Sequence, residues 1–255
     1  MSKACSYRGI VLPLLTVLAV VSPLPLAAQE TPPLKDWDPY VALFGGISMP
    51  MKTDVNSSGT LTVGSATFAN STLKTSGVSL DNSASWGGKL GVWNTQLRDA
   101  TDLDFGVQLD VTNFYPSVAA GENVSGSLST GGAPVTLTGI QTQNVKMSTT
   151  IFAGNLLVRW PLGLSPEYPN GEWYPYVGVG AGLQRTDYSA SAGSGTANDI
   201  AYQALAGLQY HITPSLAIFG EYKYTTSEQT LKLGGANDTY KFHVNHVVAG
   251  LALHF

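Results

Sequence analysis

The sequence predicts an all-β fold, an eight-stranded antiparallel up-and-down barrel that crosses a membrane. Three observations predict it. Eight segments alternate apolar and mixed residues with a period of two, the spacing at which a strand presents its two faces. The mixed faces carry Lys, Arg, Asp, Glu and Gln, which a dry core accepts only when they are paired. Aromatic residues gather near the segment ends, and the last alternating segment runs to Phe255.

Ahead of the first segment, Lys3 and Arg8 precede an apolar run over residues 10–21, too short to cross a bilayer as a helix. Pro23 and Pro25 break any helix there, and Ala27-Ala28 supplies small residues for cleavage. Residues 1–28 therefore read as a signal peptide cut after Ala28, with a retained N-terminal anchor as the alternative. Residues 29–37 are polar and Pro-containing and read as a periplasmic leader; the barrel is expected over 38–255. Cleavage leaves 11 of the 13 basic residues against 17 acidic ones, a net charge of −6, which argues against nucleic acid as a partner. The single cysteine, Cys5, departs with the signal, so no disulfide is expected to staple the exported chain. No later apolar stretch approaches 18 residues, which excludes helical spans but not strands, since a tilted strand needs only about 10 residues.

The segments follow in order. Residues 40–48 alternate weakly. The second segment sets Trp86, Leu90 and Val92 opposite Lys89. The third is the clearest: Phe105, Val107, Leu109 and Val111 share one face, and Asp104, Gln108 and Asp110 the other. The fourth sets Phe152, Leu156 and Val158 against Asn155 and Arg159, and the fifth sets Val177, Val179 and Leu183 against Tyr176, three glycines and Gln184. In the sixth, Tyr202, Leu208 and Tyr210 oppose Gln203, Gln209 and His211; in the seventh, Leu216, Ile218, Tyr222 and Tyr224 oppose Glu221 and Lys223. The last sets Val247, Ala249, Leu251, Leu253 and Phe255 opposite His246, Val248, Gly250 and His254. Between segments, residues 49–83, 115–143, 187–198 and 227–238 are rich in Ser, Thr, Gly, Asn and Ala and read as long outer loops. Residues 94–101, 161–173 and 213–215 read as periplasmic turns, and an even strand count places both mature termini on the periplasmic side. Trp86, Trp160, Trp173, Tyr176, Tyr210 and Tyr224 are the expected aromatic girdles. A soluble β-sandwich or lipocalin-like barrel alternates too. The charged mixed faces and the girdle positions weigh for the membrane.

Several stretches carry a resemblance: Tyr40-Val-Ala-Leu-Phe-Gly-Gly, Trp86-Gly-Gly-Lys-Leu-Gly-Val-Trp93, Tyr174-Pro-Tyr-Val-Gly-Val-Gly-Ala-Gly182, Ala206-Gly-Leu-Gln-Tyr210, Gly220-Glu-Tyr-Lys-Tyr224 and Ala249-Gly-Leu-Ala-Leu-His-Phe255. In this order they resemble the bacterial outer-membrane β-barrel family that includes opacity-type surface proteins and the barrel domain of OmpA-like proteins. The resemblance implies insertion by the barrel assembly machinery through the C-terminal strand, with Phe255, Leu253 and Leu251 as the assembly signal. The peptidoglycan-binding domain of OmpA-like proteins is not expected here.

By parity, Lys89, Asp104, Asp110, Arg159, Glu221 and Lys223 point inward, into a lumen that eight strands make just wide enough for side chains to fill. Unpaired charges there are costly, so the six are expected to form a charge network, with Glu221 paired to Lys89 on height and Arg159 lower. Gly178-Val-Gly-Ala-Gly182 lacks the spacing of a nucleotide loop and lies within a strand; its glycines are expected to make room for large neighbours. His243 and His246 face opposite sides, and His246 and His254 lie far apart on one face, so no metal site is expected. Neither a GxSxG elbow nor an HExxH pair is present. The sequence thus predicts no catalytic residue and no cofactor. It predicts a plugged outer-membrane barrel with a structural or surface-contact role. A small low-conductance channel is the alternative, and a lipid-modifying enzyme a further one. The expected partners are outer-membrane lipid and lipopolysaccharide, the barrel assembly machinery, and host or phage surface molecules met by the outer loops.

Overall fold

The computed structural model describes residues 36–255 except 64–65, 119, 143, 192 and 234–235. The signal peptide and the leader up to residue 35 lie outside the described residues. The remainder is an antiparallel sheet of 13 strands: β1 (Trp37–Pro50), β2 (Thr53–Val63), β3 (Ala66–Val78), β4 (Ser83–Asn94), β5 (Asp104–Phe114), β6 (Ser117–Val118), β7 (Asn123–Ser129), β8 (Val135–Gln141), β9 (Val145–Arg159), β10 (Trp173–Ala190), β11 (Gly193–His211), β12 (Leu216–Leu233) and β13 (Ala236–His254). A single helical turn, α1 (Arg98–Thr101), joins β4 to β5.

Eight of these strands close on themselves. The order is β1, β4, β5, β9, β10, β11, β12, β13, and β13 pairs back onto β1 from Tyr40↔His254 to Pro50↔Val244. Closure leaves the ring without an unpaired edge, which is how a sheet satisfies its backbone in a medium that offers no hydrogen bonds. Side chains divide by parity. Leu43, Leu156, Val179 and Leu183 stand exposed on the outside, while Arg159, Lys223, Asp104 and His246 are buried inside. This inverts the arrangement of a water-soluble core, and it is stable only where the outer wall meets an apolar medium.

Glycines on the inner face let aromatic rings of the neighbouring strand fold flat across the wall. A Cβ at Gly106 would come 2.6 Å from the Trp93 ring, and one at Gly91 would come 2.7 Å from the Tyr40 ring. Gly178 and Gly180 lie under Leu157 and Asn155 in the same way. Trp86, Trp160, Trp173 and Tyr210 are exposed on the outer wall. Tyr176 is not a girdle residue: it shares the inner parity of Gly178 and is buried in the ring, which corrects the sequence assignment.

The second correction concerns the segments read as outer loops. Strands β2, β3, β6, β7 and β8 all lie within residues 49–83 and 115–143, and the other two segments belong to the hairpins of β10 with β11 and of β12 with β13. The cause is a difference in length. β13 runs eight residues beyond the last β1 pair at Val244, and its backbone there needs a partner. β2 supplies it, from Tyr240↔Val55 to Ala236↔Gly59, and β3, β7 and β8 continue outward from β2. Leu61, Val78, Val124 and Leu128 are buried in this extension, so it is a built tier rather than solvated chain. At the top of the β10–β11 hairpin, Tyr188 crosses to β12: its hydroxyl donates to the Lys232 carbonyl at 3.1 Å and accepts from the Lys232 N–H at 2.9 Å. That bond satisfies part of the β12 edge above Ser227, where the β11–β12 pairing ends.

Candidate functional site

The candidate site is the ring interior, which is built in tiers. At the end where the short connections and Trp37 and His254 lie, Arg159 is fully buried. Its Nε donates to Asp104 Oδ2 and its Nη1 to Asp38 Oδ2, both at 2.7 Å. Its guanidinium stacks on Trp93 at 4.7 Å and on Tyr174 at 4.5 Å. Asp104 is shared with Arg98, whose Nε and Nη2 donate to its two oxygens at 2.7 and 2.5 Å. Arg98 reaches inward because α1 ends at Asp102 in the left-handed conformation, φ 59°, which turns the chain back into β5. Its Nη1 also donates to the Pro169 carbonyl at 2.7 Å, tying the β4–β5 connection to the β9–β10 connection. On the other side, Asp38 Oδ1 lies 2.6 Å from His254 Nδ1, and the His254 ring meets His211 edge-on at 4.8 Å.

The middle tier holds the other four of the six charged residues singled out by parity. Lys89 Nζ lies 2.5 Å from Glu221 Oε2, and the Tyr176 hydroxyl donates to the same oxygen at 2.9 Å. Lys223 pairs with Asp110 and donates to Thr112 Oγ1 at 3.1 Å, with Glu221 Oε1 3.9 Å away. Phe219 and Phe44 present ring faces to Lys89 at 4.6 and 5.4 Å. The Lys223–Asp110 pair joins β12 to β5, which face each other across the ring, so the charges span the lumen rather than line one wall. Each tier balances: Lys89 and Lys223 against Glu221 and Asp110, and Arg98 and Arg159 against Asp38 and Asp104. The space left among Tyr40, Lys89, Trp93, Gln108, Tyr176 and Phe219 is about 10 Å³, room for about a single water at most.

Above the charges the interior becomes neutral. Ser48 Oγ lies 2.6 Å from His246 Nδ1, and Gln184 accepts from Ser227 at 3.0 Å. Phe114 and Phe242 stack at 6.0 Å and cap the column together with Ile151 and Val244. The Ser48–His246 pair has the reach of a nucleophile and its base. Both residues are fully buried, and the Phe114 ring stands edge-on to His246, so no substrate approaches the pair in this arrangement.

Sequence reasoning missed Arg98 and Asp38, and it assigned Tyr176 both to the mixed face, where the structure has it, and to a girdle. Asp38 shares parity with Tyr40 on a strand whose alternation is weak, and the burial of Tyr40, Ala42, Phe44 and Ser48 marks that face as interior. Arg98 lies in a connection, where parity says nothing. Among the described residues, no three His, Cys, Asp or Glu side chains gather to hold a metal. On the outer wall, His243 Nδ1 meets the Tyr224 hydroxyl at 2.9 Å, and Tyr222 donates to Asn245 at 2.6 Å, a polar belt among apolar neighbours. Phe255, Leu253 and Leu251 are exposed on that wall, and the Phe255 N–H closes the last ladder position on the Pro39 carbonyl at 3.0 Å.

A profile of the outer membrane protein β-barrel domain matches residues 40–255. The chain belongs to this family. The match begins within β1 and takes in all the other strands of the ring together with the extension. Among curated protein sequences none matches the chain. Similar solved structures include the Neisserial surface protein A, at 14% identity, covering 85% of this chain and 97% of that one with a TM-score of 0.39. They also include Ail, the attachment invasion locus protein of Yersinia pestis, at 13% identity, 85% and 98% coverage and a TM-score of 0.36. OprG from Pseudomonas aeruginosa stands at 14% identity, 85% and 95% coverage and a TM-score of 0.38. At these scores the family assignment rests on the domain profile.

Proposed function

We propose that this family member is an eight-stranded transmembrane barrel with a structural and surface-contact role, its lumen sealed by the two charge tiers. The observation that carries this reading is the balance and mutual pairing of Lys89, Lys223, Glu221 and Asp110 across the lumen. An ion entering the column has to displace a bonded partner, and each such displacement leaves a buried charge uncompensated. A small channel is the competing reading, and conductance separates the two.

In this reading the short connections and both mature termini face the periplasm, and the extension stands above the outer leaflet. Outer-membrane lipid surrounds the wall, and the polar belt of Tyr222, Tyr224, His243 and Asn245 lies where lipopolysaccharide head groups meet it. Host or phage surface molecules are proposed to meet the extension. The mature protein is expected to fractionate with the outer membrane and to migrate differently on a gel before and after boiling, because a closed ring resists detergent. In planar bilayers it is expected to show no discrete conductance steps, and a tag placed within residues 130–134 is expected to be reached by antibody on intact cells. Recovery in the soluble periplasm, or regular conductance steps, would overturn the corresponding part.

Phe255, Leu253 and Leu251 are proposed to present the chain to the barrel assembly machinery. Deleting Phe255 is expected to lower outer-membrane yield in cells while changing the stability of refolded protein by no more than about 1.5–3 kcal/mol, the contribution of one apolar side chain. An unchanged yield would remove that role.

A further inference from the structure

The extension borders a second, partly open space, separate from the charged column. A cavity of about 460 Å³ lies between β2, β3, β7 and β8 on one side and the outer ends of β9, β12 and β13 on the other. Its walls are mainly apolar, with Leu61, Leu73, Val78, Val124, Ile140 and Leu231 among them. The Phe114–Phe242 stack closes the lumen beneath, and Tyr240, whose hydroxyl meets Met147 Sδ at 3.6 Å, forms the floor. Among the described lining residues the one carboxyl is that of Asp238, which shares the inward parity of Tyr240 and Phe242.

We infer that this cavity is a binding site for a compact apolar molecule carrying an ammonium group at one end, with the body among the aliphatic walls and the ammonium on Asp238. The volume falls in the range of small-molecule sites, and such sites pair an apolar lining with few polar anchors. The aliphatic side of the lining favours an apolar body over water, which needs several polar partners to stay. A carboxylate is the wrong anchor for an anion or a phospholipid head group, and the right one for a cation. Burial pushes the Asp238 carboxyl above its ordinary range, with a Ser57 hydrogen bond opposing the shift. A bound ammonium would pull it back down, so the charged form is favoured by the ligand this site selects. The inference stands apart from the sealed lumen: it concerns the tier above the ring, and its test reads binding rather than conductance.

The test uses the full mature chain in zwitterionic lipid nanodiscs, with empty nanodiscs to subtract partition into lipid. Two fluorescent probes of one shape are titrated: 1-naphthylmethylamine, cationic at neutral pH, and the neutral 1-naphthylmethanol. Saturable binding of both is expected, with the amine tighter by about tenfold, the worth of one charge-assisted hydrogen bond. In Asp238→Asn the two probes are expected to bind equally. Ala236→Phe, which fills the cavity from β13, is expected to abolish saturation for both; Leu73→Trp does the same from β3 if the first variant fails to fold, as judged by its shift on boiling. Non-saturable uptake matching empty nanodiscs, or undiminished binding in a folded cavity-filled variant, overturns the site. Equal affinity for the two probes in the wild type overturns the role of Asp238 and with it the ligand class.

Discussion

Replacing Glu221 by alanine is expected to lower the free energy of unfolding by about 3–5 kcal/mol, the cost of leaving a buried partner unpaired. Lys89 has Glu221 Oε2 as its carboxylate partner at 2.5 Å, and the ring faces of Phe219 and Phe44 do not replace it. Tyr176 loses its acceptor in the same step, and the middle tier acquires a net positive charge. The loss is read from the denaturant midpoint of the refolded protein. The double variant Lys89→Met with Glu221→Leu is expected to regain most of it, since an apolar pair of similar volume serves the interior about as well as an ion pair. Conductance is expected to appear in Glu221→Ala and to be absent from the double variant. A wild-type midpoint in Glu221→Ala would mean that water, not Lys89, holds the carboxylate.

Arg159→Met is expected to have an effect of the same order, about 3–5 kcal/mol, because Arg159 holds two buried carboxylates with one planar fork. Without it Asp38 retains His254 alone, and Asp104 retains Arg98. The contact also ties β1 to β9, strands three places apart around the ring, so its loss loosens the wall as well as the charge balance. Arg159→Lys is expected to recover little, since a single ammonium has no fixed fork to serve both carboxylates. Arg98→Ala provides the contrast. Arg98 keeps some solvent contact, and Asp104 retains Arg159 when Arg98 is lost, so a smaller loss of about 1–3 kcal/mol is expected. Losses of about 1 kcal/mol or less in both Arg98→Ala and Arg159→Met would show that the lower tier is hydrated throughout.

Stability in this chain is thus placed inside the ring, while the proposed contact surface and the proposed binding site lie in the tier above it. The division follows the strands. β9 to β13 run 15 to 19 residues, longer than the 9–11 residues or so that a tilted span needs, and the surplus carries the extension.

Period-two alternation by itself determined which residues face in and which face out. Asp104, Gln108 and Asp110 against Phe105, Val107 and Leu109 divide without ambiguity, because a one-residue slip would turn every apolar side chain into the lumen. The even number of long alternating segments and the apolar row ending at Phe255 were legible for the same reason. Alternation carries no information about azimuth around the ring, so that Lys223 spans to Asp110 on the facing strand, and Tyr176 leans to Glu221, was decided only by closure and register. Residues outside the alternation were invisible: Arg98 enters the interior from a helical turn. The extension was missed because its strands alternate small polar residues, Ser, Thr, Asn and Gly, whose faces differ little in hydropathy. What makes them strands is the unpaired backbone of β13 beyond Val244, a demand that exists only once the ring has closed and β1 has run out.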